Sequence, residues 1–368
     1  MMLNSRLPLG GFALGLAGLT LLGCGPDFTP YWKVERLRVM AIQADPVVAK
    51  PGELVTLSAL VHAPDDAEVE YQWSWCPFQL SAQDDFQCPV SAEDLAELFE
   101  ELDEDFADSD IFDLGTEPQA LFLHPFEPEE IQAFCELIQR EIIEATGDPE
   151  MARFLPGGDC TQGYEVSVRL QVTAGDRSLT SAKRFTLWGG NEEFNRNPRV
   201  TDLQLRPADP DDLGALRDRA GWDIPVEAEH HEQWLSIDPD VPLVVLGEIP
   251  MEMRALVDRD SLQIYTPPAP VGADESEQPA PRLESLVYRY FTTFGQLDQS
   301  YLLFVPDRTL LEDASITEIE FRPDEEADEP EECQHPTEEG CLTRIWTTVR
   351  DSRLGVDWIG RQVLVVER

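Results

Sequence analysis

Apolar side chains fall on every second position in one short run after another. Leu37, Val39 and Ala41 form the first run, and Val55, Leu57, Ala59 and Val61 the second. Val69, Tyr71, Trp73 and Trp75 follow, then Val166, Val168, Leu170 and Val172. A period of two puts such residues on one face of a strand, whereas a helix would repeat them at three and four. Turn signals separate the runs: Ala44-Asp45-Pro46, Pro51-Gly52-Glu53, and Ala174-Gly175-Asp176-Arg177, about which residues 164–188 read as a hairpin. The pattern therefore predicts a mainly β chain built from half-buried strands.

The pattern recurs. RVTDLQLRPADP, from Arg199, repeats the layout of LRVMAIQADP, from Leu37, and both strands stop at Ala-Asp-Pro. Further strand-like segments lie at Val241–Leu246, Met251–Val257 and Leu286–Phe291. The last strands flank a polar turn at Arg350-Asp351-Ser352-Arg353. Gly189-Gly190-Asn191 through Asn197-Pro198 reads as a linker. The succession strand, Pro-Gly turn, strand, loop and Trp-bearing strand resembles the opening half of bacterial Ig-like domains. That resemblance implies two β-sandwiches, at 33–190 and 197–368. Between its third strand and closing hairpin the first would carry a helical, disulfide-stapled insertion, about 77–163. Two helices are expected there. One starts at Ser91 with Leu95, Leu98, Phe99 and Leu102 on a stripe, and one near Pro128 with Ile131, Phe134, Cys135, Ile138 and Ile142. The stretches YTPPAPVGADESEQPAPR and EFRPDEEADEPEECQHPTEEGC read as loops.

Upstream of all this, Leu7 to Leu22 carry no charge and follow Arg6. The run is shorter than the roughly 20 residues that span a bilayer as a helix. It fits the apolar region of a secretory signal. Leu21-Leu22-Gly23-Cys24 resembles a bacterial lipobox. The resemblance implies that residues 1–23 are removed, that Cys24 is lipidated with acyl chains such as palmitate, and that 24–32 form a tether. Acyl chains contribute about 0.8 kcal/mol per buried CH2, and stable anchoring needs two or more of them. Gly25, rather than Asp, after the cysteine implies the outer membrane by the same resemblance.

The remaining six cysteines are an even number, which in an exported chain reads as disulfides. Cys333 and Cys341 stand apart and are expected to pair. Cys76, Cys88, Cys135 and Cys160 allow three connectivities, of which Cys76–Cys88 with Cys135–Cys160 is the local choice. Zinc at Cys333, His335 and Cys341 lacks a fourth ligand.

The chain has 27 Lys and Arg against 72 Asp and Glu, a formal net charge of −45. Nucleic acid and anionic lipid surfaces both demand positive charge and are excluded as partners. No serine-hydrolase elbow, phosphate-binding loop or dinucleotide fingerprint is present. His230 and His231 have no metal-ligand spacing, so no metal site is expected and the chain reads as non-enzymatic. Two weaker ligand readings remain. Tyr71, Trp73 and Trp75 on one strand face read first as core, as a tryptophan in the third strand of a sandwich does, and second as a polysaccharide platform. The acidic loops at Asp103–Asp110, Asp209–Asp212 and Asp258–Asp260 are possible Ca²⁺ sites, though none has the loop spacing that ion prefers. The late segment Val349-Arg350-Asp351, Arg353, Gly355 and Trp358 resembles a strand turn in myxobacterial-type outer-membrane lipoproteins with tandem Ig-like domains. That resemblance implies a cell-envelope module with an envelope protein or polysaccharide as partner, and no defined activity.

Overall fold

The computed structural model describes residues 29–366 except 65–66, 79, 89–111, 125, 128, 134, 137–139, 141–162, 189, 191–193, 268–278, 306–317 and 324–339. Cys24, Cys160, Cys333, the first expected helix and the acidic run at Asp103–Asp110 lie outside the described residues.

The first half contains β1 (Arg38–Asp45), β2 (Val48–Ala49), β3 (Leu54–His62), β4 (Glu70–Cys76), β5 (Asp113–Gly115), β6 (Gln119–Leu123), β7 (Tyr164–Ala174) and β8 (Arg177–Leu187). One sheet runs β1-β3-β6 and a second runs β2-β8-β7-β4-β5. The inward positions of both sheets enclose one core. Val55, Leu57 and Phe122 come from the first, and Trp73, Val166, Val168, Leu170 and Phe185 from the second. The expected hairpin is present, with Ala174 opposite Arg177 and Gly175 at a φ of 61° in the turn. Such a φ is easy for glycine and strained for other residues.

The insertion expected to be helical, about 77–163, also carries strands. β5 and β6 lie within it and extend both sheets, β5 pairing with β4 and β6 with β3. Ala120 and Phe122 turn inward from β6 while Leu121 and Leu123 stay exposed, so the run reads as unbroken apolar sequence rather than alternation. Residues 129–133 and 135–136 are helical, and their Ile131 and Cys135 seal the same core.

The second half contains β9 (Val200–Pro207), α1 (Leu213–Ala220), β10 (Leu235–Ser236), β11 (Leu243–Leu246), β12 (Met251–Val257), β13 (Ile264–Tyr265), β14 (Arg282–Leu283), β15 (Leu286–Thr292), β16 (Gln296–Leu297), β17 (Tyr301–Phe304), β18 (Ile319–Arg322), β19 (Cys341–Asp351) and β20 (Val356–Val366). Its sheets run β10-β9-β12-β18-β16 and β11-β20-β19-β15-β17, with a small β13-β14 ribbon beside them. The order repeats that of the first half. β9-β12-β18 stands where β1-β3-β6 stood, and β11-β20-β19-β15-β17 where β2-β8-β7-β4-β5 stood. A parallel pairing at the sheet edge recurs as well, β2 with β8 and β11 with β20. The second half adds β10 and β16, which flank β9 and β18.

Residues 32–34 are the exception to the division by sequence. Lys33 bridges to Thr292, and Val34 N–H donates to Thr292 O at 2.9 Å. Thus the stretch expected to open the first half runs along a strand of the second. No helix among the described residues is long and apolar enough to cross a membrane.

Candidate functional site

The aromatic face does not form an open platform. Trp73 is fully buried and Trp75 is 3% exposed. The indole N–H of Trp73 donates to Glu117 O at 3.0 Å, while Trp75 packs on Phe112 and Phe122 with ring centroids 5.1 and 5.3 Å away. Tyr71 is half-buried on the same core. The alternation correctly puts the three side chains on one face, but that face is the inner one. The core reading agrees with this burial, and the weaker polysaccharide-platform reading of Tyr71, Trp73 and Trp75 is corrected, because a sugar cannot stack on rings already packed against phenylalanines.

Cys76 and Cys88 form a disulfide. Cys135 and Cys341 are also disulfide-bonded, while the expected pairings of these two, with Cys160 and Cys333, fall outside the described residues. The acidic loops that are described serve their own backbones. Asp209 accepts from Asp211 N–H at 2.9 Å, and Asp258 from Asp260 N–H at 3.0 Å while pairing with Arg199. His230 Nε2 lies 2.9 Å from Pro207 O, and His231 pairs loosely with Glu229 at 3.5 Å. Among the described residues no group of three or more His, Cys, Asp or Glu is assembled to hold a metal ion.

What sequence reasoning missed is the junction between the halves. The segment read as a linker works as a splint. Asn197 donates to Ala44 O and accepts from Val356 N–H, both at 2.9 Å, and so ties the end of β1 to the start of β20. Asn195 donates to the Asp351 carboxylate at 3.1 Å and to Arg353 O at 2.8 Å. Gln43 reaches Val356 O at 2.6 Å and Arg350 reaches Met40 O at 3.3 Å. A small apolar cluster spans the same seam, with Val34 and Met40 against Phe291 and Trp346. His62 meets Trp346 edge-on at 5.4 Å.

The Asp351 turn explains the late motif. One oxygen of Asp351 accepts from Arg353 N–H and Gly355 N–H, both at 2.7 Å, and this fixes the loop between β19 and β20. A Cβ on Gly355 would collide with that carboxylate and crowd Arg196 O at 3.1 Å, so the close approach requires glycine. Arg353 pairs with Glu284 at 3.2 Å and lies over the Tyr265 ring, 5.0 Å from its centroid. Glu284 is 1% exposed. Burial, with some help from the Asp351 charge, pushes its carboxyl up to about 7. Burial likewise raises Asp357, which accepts from Val200 N–H at 2.7 Å.

Beside this turn a cleft of about 340 Å³ opens between the halves. Lys183 of β8 crosses it and donates to Leu354 O. Leu354 sits at a φ of 78°, unusual for a branched residue, at the tip of the turn. Arg184, Arg350, Asp351, Ser167 and Ser352 add polar lining, and Ile42 and Val356 add apolar walls. Leu80 and Phe86 come from the loop closed by the Cys76–Cys88 disulfide. Burial first, then the Arg350 charge, pushes the Lys183 ammonium down to about 8.

No family model matches the chain, and no curated protein matches it. Among solved structures, the three N-terminal domains of the bacteriophage RB49 Highly Immunogenic Outer Capsid protein are 8% identical in sequence over 90% of this chain and 99% of that one. The TM-score of that pair is 0.18, and the likeness carries no argument about fold or function.

Proposed function

We propose that the chain is a lipid-anchored protein of the bacterial outer membrane whose two Ig-like sandwiches act together as a non-enzymatic interaction module. The observation that carries the reading is the junction. Residues separated by about 150 to 310 positions are hydrogen-bonded across it, so one half is presented in a set orientation to the other. An interaction module benefits from that, since loops on a rigid scaffold bind without first being ordered. The repeated sheet order supports two copies of one sandwich, and the stapled loop after β4 together with the helical residues 129–133 and 135–136 supports an insertion in the first. Cys24 is the attachment point on the strength of its lipobox-like context. The residues between Cys24 and Trp32 reach at most about 30 Å when extended, which would hold the module close to the membrane.

Metabolic labelling with palmitate followed by envelope fractionation tests the anchor. The wild-type chain should carry label and sediment with outer membranes. Cys24→Ala should lose the label and be released. A variant that stays membrane-bound refutes the anchor.

A further inference from the structure

We infer that the open edge of β6 is a docking site for an extended segment of a partner protein in which apolar side chains alternate with Lys or Arg. The inference deepens the interaction-module reading and rests on that part of it, not on how the chain is tethered.

The edge is open and unguarded. In the sheet β1-β3-β6 the outer strands are β1 and β6. The β1 side is taken up by the junction, where Met40 O, Gln43 and Ala44 O are bonded to Arg350, Val356 and Asn197. Among the described residues no strand pairs with the far side of β6. Exposed edges are ordinarily blunted by a lysine, a proline or a bulge. The run Gln119-Ala120-Leu121-Phe122-Leu123 contains neither residue and pairs with β3 without a shift of register. Alternate residues of such a strand direct their N–H and C=O groups away from the sheet, where a further strand can take them up.

The second half shows what fits there. β18 holds the place of β6, and the chain lays its own β16 along the far side, with Leu297 opposite Phe321 and buried. Among the described residues the first half has no strand in that position. Its outer face is apolar beside the gap: Leu54, Leu121 and Leu123 are 50, 55 and 58% exposed, and Leu54 lies directly opposite Leu123. An added strand would set its outward side chains against Leu121 and Leu123, as cross-strand neighbours do, and cover them.

Charge chooses the partner. From Pro51 to Gln139 the sequence holds 23 Asp and Glu and no Lys or Arg. Both β3 and β6 lie in that stretch, and the exposed Glu117 and Glu127 flank β6 in sequence. A second copy of the chain would bring the same acids to the contact, where like charges repel. A segment bearing Lys or Arg is attracted instead.

The test is fluorescence anisotropy of the detergent-solubilised full chain with a labelled, end-blocked peptide in which Lys and Val alternate, at about 0.15 M salt. The peptide should bind saturably with one site per chain, and more weakly as salt rises. An alternating Glu and Val peptide should not bind, nor should the Lys peptide with proline at its centre, which cannot complete a ladder. Leu121→Lys should weaken binding about tenfold or more, because a lysine there blunts the edge and repels the peptide. Leu179→Lys, at an exposed leucine of β8, should bind as the wild type does. Amide hydrogen exchange gives a readout that needs no variant: the amides of residues 119–123 should slow when the peptide is added. Unchanged exchange in that segment, equal weakening by the two leucine variants, or undiminished binding of the proline peptide overturns the assignment. So does a free chain that dimerises and is made monomeric by Leu121→Lys, which would give the edge to a second copy. Cys24→Ala should bind the peptide as the wild type does, so failure of the anchor and failure of this edge are told apart.

Discussion

Truncating Asn197 to alanine removes both bonds by which one side chain joins the halves. The amide donates to Ala44 O and accepts from Val356 N–H, each at 2.9 Å. Each such bond has a net worth of about 1 kcal/mol. Val356 is 2% exposed, so its N–H loses its acceptor in a place water reaches poorly, which costs about 1–3 kcal/mol more. The sum is a loss of roughly 3–5 kcal/mol. Much of that energy couples one half to the other, so its loss should also change the shape of the transition. Differential scanning calorimetry of the wild type should give one transition, and Asn197→Ala should lower it and split it in two. Asn197→Asp is a sharper probe. It keeps the acceptor for Val356 N–H but turns a second oxygen on Ala44 O and lies near Asp45, so it should fall at least as far. If both variants unfold within about 0.5 kcal/mol of the wild type, as neutral surface changes do, the splint is not what holds the junction.

Two further outcomes follow from the buried groups. Trp73→Ala should cost about 3–5 kcal/mol in urea unfolding, as large aromatic truncations do, because the indole is fully buried and bonded to Glu117 O; a loss below about 1 kcal/mol would mean that its side chain is not core. Glu284 has a folded pKa raised from 4.5 to about 7, so its contribution is fully present below about pH 4.5 and fades as the pH rises through 7. Glu284→Gln stays neutral throughout, so its stability relative to wild type should climb by roughly 3 kcal/mol between pH 4.5 and 8, and parallel pH curves for the two proteins would refute the shift.

The long strands were legible because burial on one face writes itself into the sequence at every second residue. β3, β4, β7, β12 and β15 were read near their observed limits for that reason. The two-residue strands β2, β10, β13, β14 and β16 are too short to carry a period. Residues 119–123 hid their alternation behind Leu121 and Leu123, which are exposed and apolar at once. For Trp73 and Trp75 periodicity fixed the shared face, but which face meets the core depends on what the opposite sheet brings. The linker shows a different blindness. Asn and Pro near a boundary ordinarily mean a flexible connection, and nothing local reveals that Asn197 finds its partners about 150 residues away on either side. The polar turn within Val349–Trp358 was legible from its residues, yet its work, fixing a turn against the other half, depends on Asn195 and Met40, far off in the chain.

The order of the strands also sets an order of assembly. Every strand of the first half has been made once Leu187 is reached, so that half can close while the rest of the chain is still being synthesised. The second half waits in the same way for its own hairpin. β19 and β20 stand in the interior of its sheet, between β11 on one side and β15 on the other, and they follow its other described strands in the chain. Until they arrive, β11 has no partner in this sheet, β15 has only β17, and the Asp351 turn that receives Asn195 does not exist. A chain stopped before Cys341 would therefore display one closed half beside a sheet that lacks two of its interior strands. The seam between the halves therefore closes only after the β19–β20 hairpin has been made.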